Sequence, residues 1–185
     1  MELSHKSWYS IKMNSFEKML GALKLLNQEL VHKNTDVELT IVGSMAIYLN
    51  QEPISRFTED VDFVGYTPDQ RFTEAVRAVA HKLQLPEDWI NDKADTIEPL
   101  PKNIENDVTT DERFSNIKLR IIKRKTIIKM KVYAYFMRQA QKDLDDLKLL
   151  APTAEEFVKG VDYIKETIVF HHGKTQLTKQ EDSIE

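Results

Sequence analysis

Apolar residues return every three or four positions between Phe16 and His32. Phe16, Met19, Leu20, Leu23, Leu26 and Leu30 form one stripe, the pattern of an amphipathic helix packed on a sheet. Asn14 followed by Glu17 has the form of a capping box at its start. The period then changes. Val37, Leu39 and Ile41 alternate with Glu38 and Thr40, which predicts a strand. Gly43-Ser44 follows, and Met45 to Leu49 reads as a short helix. Asp60 to Val64 is the second expected strand. A third helix is expected from Thr67-Pro68, with threonine as its cap, proline in the first turn and Gln70 in the capping-box position. Phe72, Ala75, Val76, Val79 and Leu83 would form its buried face.

From Pro86 to Asn116 the periodicity fades into loop with short strands, a length of irregular chain that is often functional. Ile117 to Lys123 alternates again and predicts a strand. A helical pattern runs from Thr126 to about Leu150 and stops before Pro152. The last helix starts at Thr153, with Glu156 as capping partner and Phe157, Val161, Ile164 and Ile168 as its stripe. His171 to Glu185 is polar and without period, so a mobile tail is expected. This order predicts an α/β (α+β) chain: a short mixed sheet flanked by helices in residues 1–125, a helical C-terminal region packed on that core in 126–170, and a tail in 171–185.

Composition narrows the chemistry. The 185 residues carry 26 Lys plus Arg against 30 Asp plus Glu, a net charge of −4, and no cysteine. A disulfide framework, a thiolate zinc site and a cysteine nucleophile are therefore excluded. No apolar run approaches the roughly 18 residues of a membrane span, and Met1 to Lys12 lacks the apolar centre of a signal peptide. A cytoplasmic protein with no membrane partner is the simplest expectation.

The most informative segment is Thr40-Ile-Val-Gly-Ser-Met-Ala46 followed by Arg56-Phe-Thr-Glu-Asp-Val-Asp62. Asp60 and Asp62 are two apart on a predicted strand, so both carboxylates share a face. Two like charges roughly 6–7 Å apart are wasteful unless a cation lies between them. Magnesium fits, because it takes hard oxygen ligands and keeps waters that a phosphate can displace. Gly43 lets the backbone approach a ligand, and Ser44 adds a hydroxyl and amides suited to phosphate.

These residues resemble the nucleotidyltransferase superfamily, built around a Gly-Ser or Gly-Gly helix start and an Asp-x-Asp strand. Gly43, Ser44, Ala46, Arg56, Thr58, Asp60 and Asp62 match the motif of its minimal bacterial branch. Lys129-Met-Lys131, Arg138 and Lys142-Asp-Leu-Asp-Asp-Leu147 are similar to the helical pattern of abortive-infection-type toxin nucleotidyltransferases and their uncharacterised relatives. The resemblance covers about residues 35–150. It implies a nucleotidyltransferase fold, magnesium on Asp60 and Asp62, and a nucleoside triphosphate near Gly43, Ser44, Arg56 and Thr58. It further implies transfer to an RNA end such as tRNA, or to a protein hydroxyl, and a possible antitoxin partner. In the toxin-like branch a lysine and an aspartate from the C-terminal helices complete the site, roles that would fall on Lys131 and on Asp143 or Asp146. One unbroken helix would hold Lys131 and Asp146 about 22 Å apart along its axis, so a break between Met137 and Asp143 is required.

One feature departs from the superfamily. Many members supply a third carboxylate from a later strand, but Lys118-Leu-Arg-Ile-Ile122 is basic, leaving Asp111 and Glu112 as substitutes. The rival expectation is therefore a catalytically silent module for nucleotide sensing or partner binding, with transfer to a small molecule as a third reading. Lys118, Arg120, Lys123, Arg124, Lys125, Lys129 and Lys131 form a run without an acid, either a solvated face or a patch for triphosphate or RNA. His171-His172 has no partner ligands nearby in sequence, and Trp89 reads as a core anchor.

Overall fold

The computed structural model describes residues 5–54, 57–94 and 100–181, and the side chains of 15–54, 57–94 and 100–167. The chain forms two compact units, Met1–Ile127 and Ile128–Glu185. In the first lie α1 (His5–His32), β1 (Val37–Ile41), α2 (Gly43–Leu49), β2 (Val61–Val64), α3 (Gln70–Leu83), β3 (Ile90–Asn91), β4 (Val108–Asp111) and β5 (Ile117–Ile122). The unit boundary falls within α4 (Arg124–Arg138), and α5 (Gln141–Leu150) and α6 (Ala154–Glu181) belong to the second unit.

The sheet of the first unit has the order β3-β2-β1-β5-β4. It is mixed: β1 runs antiparallel to β2 and parallel to β5, β2 is parallel to β3, and β4 is antiparallel to β5. The alternating residues of β1 place Leu39 and Ile41 in the core, where Val61 and Phe63 of β2 and Ile117 and Leu119 of β5 meet them fully buried. α1 packs beside α3, presenting Phe16, Met19, Leu23, Leu26 and Leu30, all buried. Burial on this scale removes most of the surface of these eleven side chains from water, each worth about 1.5–3 kcal/mol.

Several element boundaries differ from the sequence expectation, each for a local reason. α1 begins at His5 because no Gly or Pro interrupts residues 5–20, so Asn14 and Glu17 lie inside the helix and do not cap it. The cap of α3 is Asp69, whose carboxylate accepts the Phe72 N–H at 2.8 Å, and not Thr67. Aspartate is the stronger cap, and Pro68 then stands outside the helix. Ala80 is buried on α3 while Leu83 is only half-buried. β2 starts at Val61, so Asp60 immediately precedes the strand.

The expected helix from Thr126 to Leu150 is two helices. α4 ends at Arg138, Gln139 takes a left-handed φ of 50°, and extended Ala140 starts α5. No glycine marks the turn, so Gln139 bears the unfavourable backbone conformation itself. The capping box of α6 forms as expected: Thr153 Oγ1 accepts the Glu156 N–H at 3.2 Å, and Glu156 Oε2 accepts the Thr153 N–H at 2.9 Å. Its buried face is Gly160, Tyr163, Ile164 and Thr167; Phe157 is 47 % exposed and Val161 half-buried, while the side chain of Ile168 lies outside the described residues. α6 continues to Glu181, so His171 to Glu181 is helix despite its lack of pattern, and no proline follows Pro152 to stop it. Residues 182–185 lie outside the described ones. Among the described residues no helix is long and apolar enough to cross a membrane.

Candidate functional site

Two groups of the sequence-derived residues come together, one in each unit. In the first unit the β1–α2 turn and the start of β2 are neighbours by register. Thr40 pairs with Val64 and Ile41 with Phe63, so Val42 stands opposite Asp62, and its N–H donates to the Asp62 carbonyl at 3.0 Å. Gly43 follows with a φ of +65°. A Cβ added to Gly43 would lie 2.7 Å from Asp62 Oδ2, closer than real Cβ contacts allow. Gly43 is thus required twice, once by its backbone angle and once by the carboxylate lodged against it. Ser44 is buried in the first turn of α2.

Asp60 is exposed and held from below. Buried Thr58 donates its hydroxyl to the Asp60 carbonyl at 2.9 Å, and Ser15 Oγ accepts the Thr58 N–H at 3.4 Å. The Thr58 hydroxyl therefore serves to shape the chain that carries Asp60. Arg56 lies outside the described residues.

The Asp pair does not form the sheet edge, as β3 flanks β2 on its outer side. Val61 pairs with Ile90 and Asp62 with Asn91, in parallel, so Asn91 shares a face with Asp62. Trp89 anchors this strand as a core residue. It is fully buried, its indole N–H donates to the Val76 carbonyl at 3.2 Å, and its own carbonyl accepts the Val61 N–H at 2.7 Å. A two-residue strand is too short to show alternation, so the short strands expected between Pro86 and Asn116 could not be placed, and Asn91 and Lys93 were not singled out. The one signal was a large apolar residue just after Pro86.

This topology corrects the search for a third carboxylate. Asp111 ends β4, separated from β2 by β1 and β5, three strand spacings or about 14 Å. Its carboxylate is bound by the Arg113 guanidinium, which holds it below the usual aspartate range. Asp111 is therefore an ion-paired edge residue, with Glu112 following it out of the strand. Beside Asp62 stands the amide of Asn91 instead. Among the described residues no group of three or more His, Cys, Asp and Glu side chains could hold a metal ion. Two hard carboxylate donors fit magnesium only in the form that leaves its remaining positions to water and phosphate oxygens.

The second unit brings Lys131, Arg138, Asp143 and Asp146 together, and the break at Gln139 is what permits it. Lys131 Nζ lies 2.8 Å from Asp146 Oδ2 and 3.3 Å from Asp143 Oδ1; Arg138 approaches Asp143 at 3.1 Å. The side chains of Asp143 and Asp146 are fully buried and that of Lys131 is 9 % exposed. Two carboxylates against two cations balance in charge, which lets them persist away from water.

The basic run is mostly spent on ion pairs. Lys118 and Arg120 both bind Glu38, at 2.9 and 2.6 Å, and hold its carboxyl below the usual glutamate range. Arg124 pairs with Glu52 at 2.6 Å and Lys125 with Asp107 at 3.0 Å. With Lys131 also engaged, Lys123 and Lys129 are the members with no ion pair among the described residues. The side chains of His171 and His172 lie outside the described ones.

A mixed sheet whose second strand starts inside Asp60-Val61-Asp62, beside a Gly-Ser helix start, has the form of a nucleotidyltransferase fold. The chain belongs to the family described as "Nucleotidyltransferase of unknown function (DUF6036)", which matches residues 17–182. No curated protein and no solved structure matches it.

Proposed function

We propose that the chain is a magnesium-dependent nucleotidyltransferase that moves a nucleoside monophosphate from a triphosphate to an acceptor hydroxyl. The observation that carries this reading is the Asp62 carboxylate seated where a Gly43 side chain would be. That contact brings the Asp62 carboxylate against the Gly-Ser turn, which supports the nucleotide site that the resemblance implies. Asp60 and Asp62 would hold the metal, with Thr58 fixing the backbone of Asp60 and Asn91 flanking Asp62. When bound, magnesium neutralises phosphate charge and favours in-line attack at the α-phosphorus, with pyrophosphate leaving. Gly43 and Ser44 would orient the triphosphate.

Lys131, Asp143 and Asp146 keep, as a proposal of their own, the part in transfer that the resemblance gives them. It is supported by one ammonium shared between two buried carboxylates. The acceptor proposed is an RNA end, tRNA included, or a protein hydroxyl, with a toxin role and an antitoxin partner as the biological setting and the cytoplasm as the compartment. A second reading, a silent nucleotide-sensing module, is favoured by the amide of Asn91 standing beside Asp62 where a third carboxylate would serve catalysis.

Incubation with each of four labelled triphosphates and magnesium, followed by separation of RNA, protein and small molecules, tests the reading. Label entering RNA or protein with wild type and not with Asp62→Asn supports transfer. Magnesium-dependent binding without transfer supports the silent module, and absence of both overturns the metal-nucleotide site.

A further inference from the structure

Asp62 has a second neighbour beside Gly43, and it brings a cation with it. Asn91 pairs with Asp62 across β2 and β3, and its side chain folds the residues around it. Asn91 Nδ2 donates to the Asp88 carbonyl at 3.2 Å, while Asn91 Oδ1 accepts the Lys93 N–H at 3.1 Å. Asn91 is 8 % exposed, and buried Trp89 fixes the same segment to β2 through Val61, so the loop is built on a rigid frame. Lys93 leaves this frame two residues after the position beside Asp62. Its ammonium is hydrogen-bonded to the Asp88 carboxylate, and that bond first, then the charge of Asp88 and more weakly those of Asp60 and Asp62, raises its pKa above the ordinary lysine value.

The Lys93–Asp88 pair is a poor resting place for that charge. The two side chains are 56 % and 60 % exposed, and ion pairs so open to water contribute little. A triphosphate offers several anionic oxygens in place of one carboxylate, and a single Mg2+, already balanced by two aspartates, leaves most of the triphosphate's charge uncancelled. We propose that Lys93 is a phosphate-binding residue of the Asp60–Asp62 site, exchanging Asp88 for the β- or γ-phosphate of a magnesium-bound nucleoside triphosphate. This rests on the metal-nucleotide reading of that site. Asn91 is then a positioning residue, holding Lys93 toward the phosphates, and Asp88 is the competitor that holds the ammonium when nucleotide is absent.

Calorimetric titration with magnesium and nucleoside tri-, di- and monophosphates tests the exchange in wild type, Lys93→Gln, Lys93→Arg, Asp88→Asn and Asp62→Asn. Lys93 is exposed, so its variants keep the fold, which an unchanged melting curve verifies. Lys93→Gln should weaken triphosphate binding about tenfold or more, the range of a hydrogen bond to a charged group, and leave monophosphate affinity within about twofold. Lys93→Arg should restore most of the loss. Asp88→Asn should tighten triphosphate binding a few-fold, because the competing carboxylate is gone. Equal triphosphate affinity in Lys93→Gln and wild type, with loss only in Asp62→Asn, would overturn the role of Lys93 and leave the metal-nucleotide site standing. Equal weakening of mono- and triphosphate would overturn the assignment to the outer phosphates. No binding of any nucleotide by wild type would overturn both.

Discussion

At single residues, the two groups of charged side chains obey opposite economies. Asp62 is partly exposed and sits against a backbone with no side chain, a place where a ligand can approach; Lys131 is sealed between two carboxylates. Gly43→Ala tests the first. A left-handed angle costs a non-glycine residue about 1–2 kcal/mol, and the new Cβ must also displace the Asp62 carboxylate. The variant should lose about 1–3 kcal/mol in urea denaturation and bind magnesium-triphosphate more weakly. A variant with unchanged stability would show that the turn is not held as described. Lys131→Met tests the second: Asp143 and Asp146 would lose the ammonium that lies between them, at a cost of about 3–5 kcal/mol. Lys131→Arg, which retains the charge, should fold far better than Lys131→Met. Equal urea midpoints for the two would mean that the ammonium is not what balances Asp143 and Asp146.

At the level of elements, the ends of helices decided where the sequence was legible. The apolar stripes located α1, α3 and the strands β1, β2 and β5, because burial on one face writes a period into the chain. Local competition between caps was harder to read: Asp69 displaced Thr67 by two residues, and α1 ran past Asn14. The break between α4 and α5 left no glycine or proline to see, and only the need to bring Lys131 and Asp146 together implied it. β3 could not be placed because two residues cannot alternate, so Gly43, Ser44, Asp60 and Asp62 were legible in the site while Asn91 and Lys93 were not. Two substitutions of opposite sign follow from the helix ends. Thr153→Ala removes half of a reciprocal capping box and should cost about 1 kcal/mol. Gln139→Gly relieves a positive φ and should gain roughly 0.5–1 kcal/mol, less than the full strain because glycine loses more entropy on folding. Thermal midpoints moving in the same direction for both would contradict the cap geometry.

Over the whole molecule, charge is arranged in pairs more than in patches. The net charge is −4, and the seven-membered basic run would stand out from it as an attractive surface for RNA if its members faced water unpaired. Glu38, Glu52 and Asp107, distant in sequence, instead draw in Lys118, Arg120, Arg124 and Lys125. A linear reading sees the run and not the acids that fold against it. This bears on the proposed RNA acceptor. Three phosphate contacts from Lys123, Arg124 and Lys125 would give a salt dependence of roughly 2 to 2.7 units in log–log slope, at roughly 0.7–0.9 per phosphate. Arg124 and Lys125 are held by acids that are themselves mostly buried, Glu52 and Asp107, unlike the open Asp88 beside Lys93. Lys123 is therefore the one of the three with its charge uncommitted among the described residues, and the contribution falls to about one. Titrating tRNA binding across a salt series in wild type, Lys123→Gln and the triple glutamine variant measures it. The single and triple variants should flatten the slope by the same amount. A triple variant that flattens it about three times as much as Lys123→Gln would show that RNA phosphates outcompete Glu52 and Asp107, and the basic run would then be an RNA-binding face after all.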